Sequence, residues 1–219
     1  LDGGYLPRCL FLCPEIYAEE LVLEETSSEI YTVSKDVFEK ITYRGSSDGL
    51  LAVFEAKHLM LDGLNFGENP SFIIVEAIEK PGNLGAIIRS ADGAGIDGVI
   101  VCDPACDVFN PNVIRASLGT VFTKQVVAAS NEDVADFLAK HEIPAYAALL
   151  SDKSTLYTAA DFTLPTALIL GTEHEGLSAF WQQRATPIII PMQGSNDSLN
   201  VSNAAAILAY EIVRQRSSI

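Results

Sequence analysis

The sequence predicts an α/β domain, a mostly parallel sheet with helices on both faces, preceded by a small α+β domain. Three observations carry this. From Ser71 onward, short apolar runs alternate regularly with segments of helical spacing. The runs are continuously apolar, as strands covered on both faces are. The stretch before Ser71 lacks that rhythm and carries turn clusters instead. A chain of 219 residues has room for about one and a half domains of ~150 residues. At that size a core forms without disulfide or metal staples.

In chain order, Arg8–Cys13 reads as a short strand and Glu15–Leu23 has helical spacing. Ser34–Ile41 reads as a short helix with Ser34 as its N-cap. Gly45–Gly49 is a turn cluster and Leu50–Glu55 a strand. Asp62-Gly63, Gly67 and Asn69-Pro70 mark a linker, although Lys57–Leu64 has some helical character. The expected division is a first domain over 1–64, a linker over 65–70 and a second domain over 71–219. In the second domain, strands are expected at Phe72–Ala77, Gly98–Cys102, Lys124–Ala128, Ala145–Leu150, Ala167–Leu170 and Pro187–Ile190. Helices are expected at Leu84–Ala94, Asn112–Leu118, Asn131–His141, Ala179–Arg184 and Val201–Arg216. In the last of these, Val201, Ala204, Ala205, Leu208 and Ile212 share one face.

The chain carries 14 Lys and Arg against 29 Asp and Glu, a net charge of −15. Generic attraction to nucleic acid or anionic membrane is disfavoured, which leaves room for a local basic cleft. No apolar run reaches the roughly 18 residues of a membrane span. The chain opens at Leu1 without Met or a charged leader, so no signal peptide is visible and the start reads as trimmed. Cys9-x-x-x-Cys13 and Cys102-x-x-x-Cys106 have spacing open to zinc. Both pairs abut β-like runs without a Gly-rich turn, so they read as reduced structural thiols of a cytoplasmic protein, with no metal.

Three segments hold residues suited to chemistry. Pro81-Gly82-Asn83 reads as a turn into a helix whose free N–H groups favour an anion, with Arg89 nearly two turns on. Taken alone, Arg89 reads first as a solvated residue on an amphipathic helix. Gly93-x-Gly95-x-x-Gly98 matches a dinucleotide fingerprint, but it closes a helix and opens a strand, the reverse of what phosphate binding needs. Gly171-Thr172-Glu173-His174-Glu175-Gly176 follows a buried strand, either as a ligand loop or as a loop whose acids cap the next helix. Ile190–Ser202 supplies more Ser and Asn than one helix start uses, which points to a ligand met by backbone and amide groups. Neither a nucleophile elbow nor a P-loop occurs.

In this order, the segments resemble the SpoU (TrmH-type) branch of the SPOUT RNA methyltransferases. Asn83-x-Gly85-x-x-x-Arg89-x-Ala91-x-x-x-Gly95 is similar to that family's first motif. Leu168–Glu173 with Gly176-Leu177 is similar to the second, and Ile190-Pro191-Met192 with Ser198–Ser202 and Ala204 to the third. Asn110-Pro111, Arg115-Ala116-Ser117 and Gly119 also resemble a family segment. His174 stands where members often have Gly. The resemblance runs from Ser71 to Arg216; residues 1–64 resemble, more weakly, a shortened ribosomal-protein-like substrate-recognition domain.

The resemblance implies an α/β trefoil knot, a homodimer, and S-adenosyl-L-methionine as donor of a methyl group to a ribose 2′-hydroxyl of tRNA or rRNA. It implies cofactor contacts at Leu170, Gly171, Thr172, Ile190, Met192 and Leu199, and catalytic roles for Asn83, Arg89, Glu173, Ser198 and Asn200. Arg89 is either the base that takes the hydroxyl proton or a grip on the adjacent phosphate and developing alkoxide. Lys35, Lys40, Arg44, Arg89 and Arg115 are expected to converge on RNA. The alternative is an RNA-binding or ribosome-associated protein that keeps the fold without catalysis.

Overall fold

The computed structural model describes residues 3–18, 28–42, 48–172 and 176–217. Arg44, Glu173 and His174, most of the Gly45–Gly49 turn and the end of the predicted Glu15–Leu23 helix lie outside them. The chain forms two compact units, residues 1–57 and 58–219.

In the first unit, β1 (Pro7–Leu12), β2 (Glu29–Thr32) and β3 (Leu50–Phe54) form a sheet in the order β2-β1-β3. The β1–β2 pairing is parallel and β1–β3 antiparallel. Helix α1 (Lys35–Ile41) contributes Phe38, which is buried with Leu10 and Cys13. A turn at residues 14–16, with irregular chain at 17–18, stands where the start of a helix was expected: the Ile16 and Tyr17 amides both bond to Cys13 O. Ser34 occupies the α1 N-cap, but its side chain makes no capping bond. Instead the carboxylate of Glu15 accepts from the Lys35 amide at 3.0 Å. That removes one unpaired donor from the helix start, the job expected of Ser34.

The second unit contains β4 (Ser71–Glu76), α2 (Pro81–Gly93), β5 (Gly98–Cys102), α3 (Pro111–Ala116), β6 (Gln125–Ala129) and α4 (Asn131–Lys140). It continues with β7 (Ala145–Ala148), β8 (Thr155–Leu156), β9 (Thr166–Leu170), α5 (Ala179–Gln182), β10 (Thr186–Ile189) and α6 (Val201–Arg216). The strands form one sheet in the order β6-β5-β4-β9-β7-β10-β8, and every pairing in it is parallel. Successive side chains point to opposite faces, so each central strand feeds two cores. Ile73, Val75, Val99, Val101, Leu168 and Leu170 pack in the layer that holds residues of α2, α3 and α6. Phe72, Ile74, Ile100, Ala167 and Ile169 pack with Val134, Phe137 and Trp181 of α4 and α5. No described helix is long and apolar enough to cross a membrane.

Several local details differ from expectation. Pro81-Gly82-Asn83 is the first turn of α2 itself, with Pro81 at the position where a missing N–H costs nothing. Residues 58–66 pack on the second unit: Leu64 is buried, and Phe66 meets Phe72 and Phe137 edge-on, at 5.3 and 5.9 Å between ring centres. Gly93 ends α2, and the chain closes it with Gly95 N–H on Asp92 O and Ile96 N–H on Ala91 O, a Schellman cap. The fingerprint-like glycines are therefore a helix stop.

Two contacts fix the helices that flank the sheet. A Cβ on Gly85 would stand 2.6 Å from both Ala116 Cβ and Val113 O, so α2 and α3 touch where only hydrogen fits. In the last turn of α6, the Arg216 guanidinium donates to Phe162 O at 3.0 Å, Asn69 O at 2.9 Å and Leu164 O at 2.8 Å. It gathers carbonyls from the starts of two strands under the end of the last helix. Gly85→Ala is expected to destabilise the unit by about 1–3 kcal/mol through overpacking, read from denaturant unfolding. Arg216→Ala is expected to cost about 1–2 kcal/mol, since three carbonyls, of which only that of the buried Phe162 is sheltered, lose a charged donor; an unchanged midpoint would mean the anchoring is superficial.

Candidate active site

The strand order sends β5 and β6 to one side of β4 and β9, β7 and β10 to the other. In open parallel sheets ligands bind at such a reversal, beyond the carboxyl ends of the strands. The reversal here lies between β4 and β9, and beside it opens a cleft of about 940 Å³, walled by the segments that follow β7, β9 and β10. A recess of about 30 Å³ shares Gly171, Thr172 and Val201 with it and adds Ile78, Lys80 and Asn83 from the segment after β4. The cleft floor is apolar, with Leu170, Leu177, Ile188 and Val201, while Ser151, Asp152, Lys153, Asp197 and Ser198 contribute polar groups. Apolar walls with a few polar contacts suit a flat heterocycle bearing a polar tail.

Each wall is held by identifiable bonds. The Asn200 amide donates to Asn83 Oδ1 at 3.2 Å, so the first and third segments touch. Asn200 Oδ1 also accepts from the Ser202 amide at 2.9 Å and caps α6. Thr172 and Gly176 exchange both backbone hydrogen bonds at 3.1 Å, which closes the loop between them. A Cβ on Gly171 would lie 2.2 Å from the Gly176 backbone, so this closure requires glycine.

Of the predicted cofactor residues, Leu170, Gly171, Thr172, Ile190, Met192 and Leu199 all line the cleft, and Ser198 joins them. Asn83 lines the recess, and Asn200 reaches it through Asn83. Arg89 is different: it is exposed on α2 and lines neither hollow. Arg115 is exposed on α3, the helix that touches α2 at Gly85. Lys35 and Lys40 are exposed on α1 in the other unit, where Lys35 lies 3.9 Å from Glu39.

The residues after β7, Leu149–Lys153, line the cleft and were not foreseen, nor was Lys80 in the recess. Their signal was position: each follows a strand at its carboxyl end, but only the sheet order shows that β7 neighbours β9. The four cysteines are free. Burial, and next the carboxylates of Asp103 and Glu76, push the Cys102 thiol up to about 12, so it stays protonated and unreactive. Among the described residues, no three or more His, Cys, Asp or Glu gather to hold a metal.

Comparison with known proteins agrees with this geometry. The family model described as "SpoU rRNA Methylase family" matches residues 70–210. A 23S rRNA (uridine(2479)-2'-O)-methyltransferase from Streptomyces viridochromogenes is 36% identical over 77% of this chain. That match takes in only 61% of the relative's own length. The 23S rRNA (guanosine(2553)-2'-O)-methyltransferase RlmP of Bacillus subtilis is 29% identical over 97% of this chain and 87% of its own. Among solved structures, the SpoU methyltransferase AviRb from Streptomyces viridochromogenes, in complex with the cofactor AdoMet, superposes with a TM-score of 0.88. It is 30% identical and covers 99% of this chain and 86% of its own. With its motifs on one sheet edge and the model matched across the second unit, the chain belongs to the SpoU rRNA methylase family.

Proposed function

We propose that this chain is an S-adenosyl-L-methionine-dependent RNA methyltransferase that modifies a ribose 2′-hydroxyl of tRNA or rRNA, acting as a cytoplasmic homodimer. The observation that carries this is the convergence of the second and third motif segments on one cleft, with the first joined to them through the adjoining recess and the Asn83–Asn200 contact. The cleft suits the donor chemically. Leu170, Leu199 and Met192 offer apolar faces to an adenine, and Gly171 contributes to the same lining. When bound, the donor supplies an electrophilic methyl group on a sulfonium.

The protein's part is to hold, orient and manage a proton. Fixing the ribose oxygen in line with the methyl group is worth about 7–11 kcal/mol when well aligned. Asn83, Ser198, Asn200 and Glu173 are the polar groups assigned to that alignment. Arg89 is exposed on α2, and a guanidinium is a strong donor and a poor proton acceptor, which favours a grip on the adjacent phosphate and the developing alkoxide over proton removal.

The homodimer is supported by what α6 leaves uncovered. Val201, Ala205, Leu208 and Ile212 are spent in the core, while Ile207 and Tyr210 remain exposed at 37% and 53%. Since α6 leaves β10 on the far side of the sheet and returns to pack against α2, the chain path also favours the trefoil knot. Residues 1–64 are assigned to RNA recognition, with Lys35, Lys40 and Arg44 as phosphate contacts. The named relatives act on 23S rRNA, which makes it the first substrate to test.

Arg89→Ala is expected to leave calorimetric affinity for S-adenosyl-L-methionine within about twofold and to slow labelled methyl transfer at least ~100-fold. A normal rate would remove Arg89 from the reaction. Binding to RNA is expected to weaken with salt at a log–log slope of roughly −4 if five basic side chains meet phosphates. A flat response would mean that the partner is not a polyanion, and donor binding without transfer to any RNA would mark a binding protein.

A further inference from the structure

The three motifs leave one buried polar cluster unused. Glu76 ends β4 and is 5% exposed, in a run that is otherwise apolar. Its Oε1 accepts from Ser178 Oγ at 2.6 Å and from Asn131 Nδ2 at 2.8 Å. Its Oε2 accepts from the Ser178 amide at 2.8 Å. Asn131, 8% exposed, also donates to Asp103 at 2.6 Å and accepts from the Trp181 indole. Every donor to Glu76 here is neutral, so no ion pair explains a buried carboxylate. Three donors converging on two oxygens do.

The position of Ser178 gives the cluster its meaning. Ser178 is the exit of the loop that begins at Gly171, and Gly176 and Leu177 just before it are cleft walls. Gln182 Nε2 holds Leu177 O at 2.6 Å within the same short segment. Glu76 stands at the other end of the tie, on the strand whose continuation supplies Lys80 and Asn83 to the recess. We propose that Glu76 is a positioning residue for donor binding: its carboxylate ties Ser178, and through it the Gly176–Leu177 wall, to the β4 strand end and sets the width of the cleft. This rests on the reading of the cleft as the donor site.

Glutamine cannot replace this carboxylate. With its oxygen at Oε1, its NH₂ faces the Ser178 amide, donor against donor. With the groups exchanged, its NH₂ faces that of Asn131. Either way one buried donor loses its acceptor, and the loop exit loosens. A carboxylate that merely filled space would tolerate the swap.

The test is calorimetric titration of the full chain with S-adenosyl-L-methionine, alongside emission from Trp181, the single tryptophan. Glu76→Gln is expected to weaken the donor about tenfold, the equivalent of one hydrogen bond to a charged group, and to shift the emission. Arg216→Ala, which destabilises the same unit away from the cleft, should move neither. Equal donor affinity in Glu76→Gln and wild type overturns the proposal, as does an equal loss in Arg216→Ala. Should Glu76→Gln fail to fold, Ser178→Ala takes its place, with an expected loss of about threefold; unchanged affinity there is equally fatal. A wild-type chain that binds no donor brings down the reading of the cleft itself, whereas a binding wild type with an indifferent Glu76→Gln brings down only the clamp.

Discussion

The pairing of β4 with β9 is the constraint on which the rest depends. Ser71 to Val75 lie in parallel register with Thr166 to Leu170, strands far apart in the chain. Both are buried on both faces, so the register is enforced by two cores at once. That pairing puts the segment carrying Asn83 beside the loop carrying Gly171, and the return of α6 brings Asn200 to meet them. No local propensity would assemble this site, which exists because segments distant in the chain become neighbours at one edge of the sheet.

Glycine and amide groups then do what bulkier side chains would prevent. Gly85 lets α2 lie against α3, and Gly171 lets its loop close on Gly176. Two glycines of the motif pattern are thus explained by packing rather than by contact with a ligand. The amides of Asn83 and Asn200 add direction without charge, which would suit the proposed pairing of a sulfonium with a polyanion. Cationic charge sits outside the cleft lining, on Arg89 and Arg115, apart from Lys80 and Lys153 at its polar margin. A net charge of −15 is compatible with RNA because only a local surface needs to be basic.

Much of this was legible in the sequence, and the omissions have physical causes. The central strands announce themselves because burial on both faces removes polar residues, and β5 and α6 fall at their expected bounds. Strands β2 and β8 lie at sheet edges, are short and exposed, and carry no such signature. Of the expected Glu15–Leu23 helix only residues 15–18 are described, and they lie in a turn and the irregular chain after it. Leu149–Lys153 was missed because neighbourhood in a sheet is a property of topology. Glu76 did have a signal, a lone acid inside the run Ser71–Glu76, which an eye set on motifs passes over.

The central claim is that the loops after β9 and β10, with the segment after β4, enclose a sulfonium nucleoside. Hydrogen exchange with and without S-adenosyl-L-methionine reads this residue by residue, with no RNA needed. The account predicts slowed exchange at amides around Gly171, Leu177, Met192 and Leu199, and little change across β5, β6 and the first unit. Protection spread evenly over the chain, or gathered around Gly93–Gly98, would contradict it.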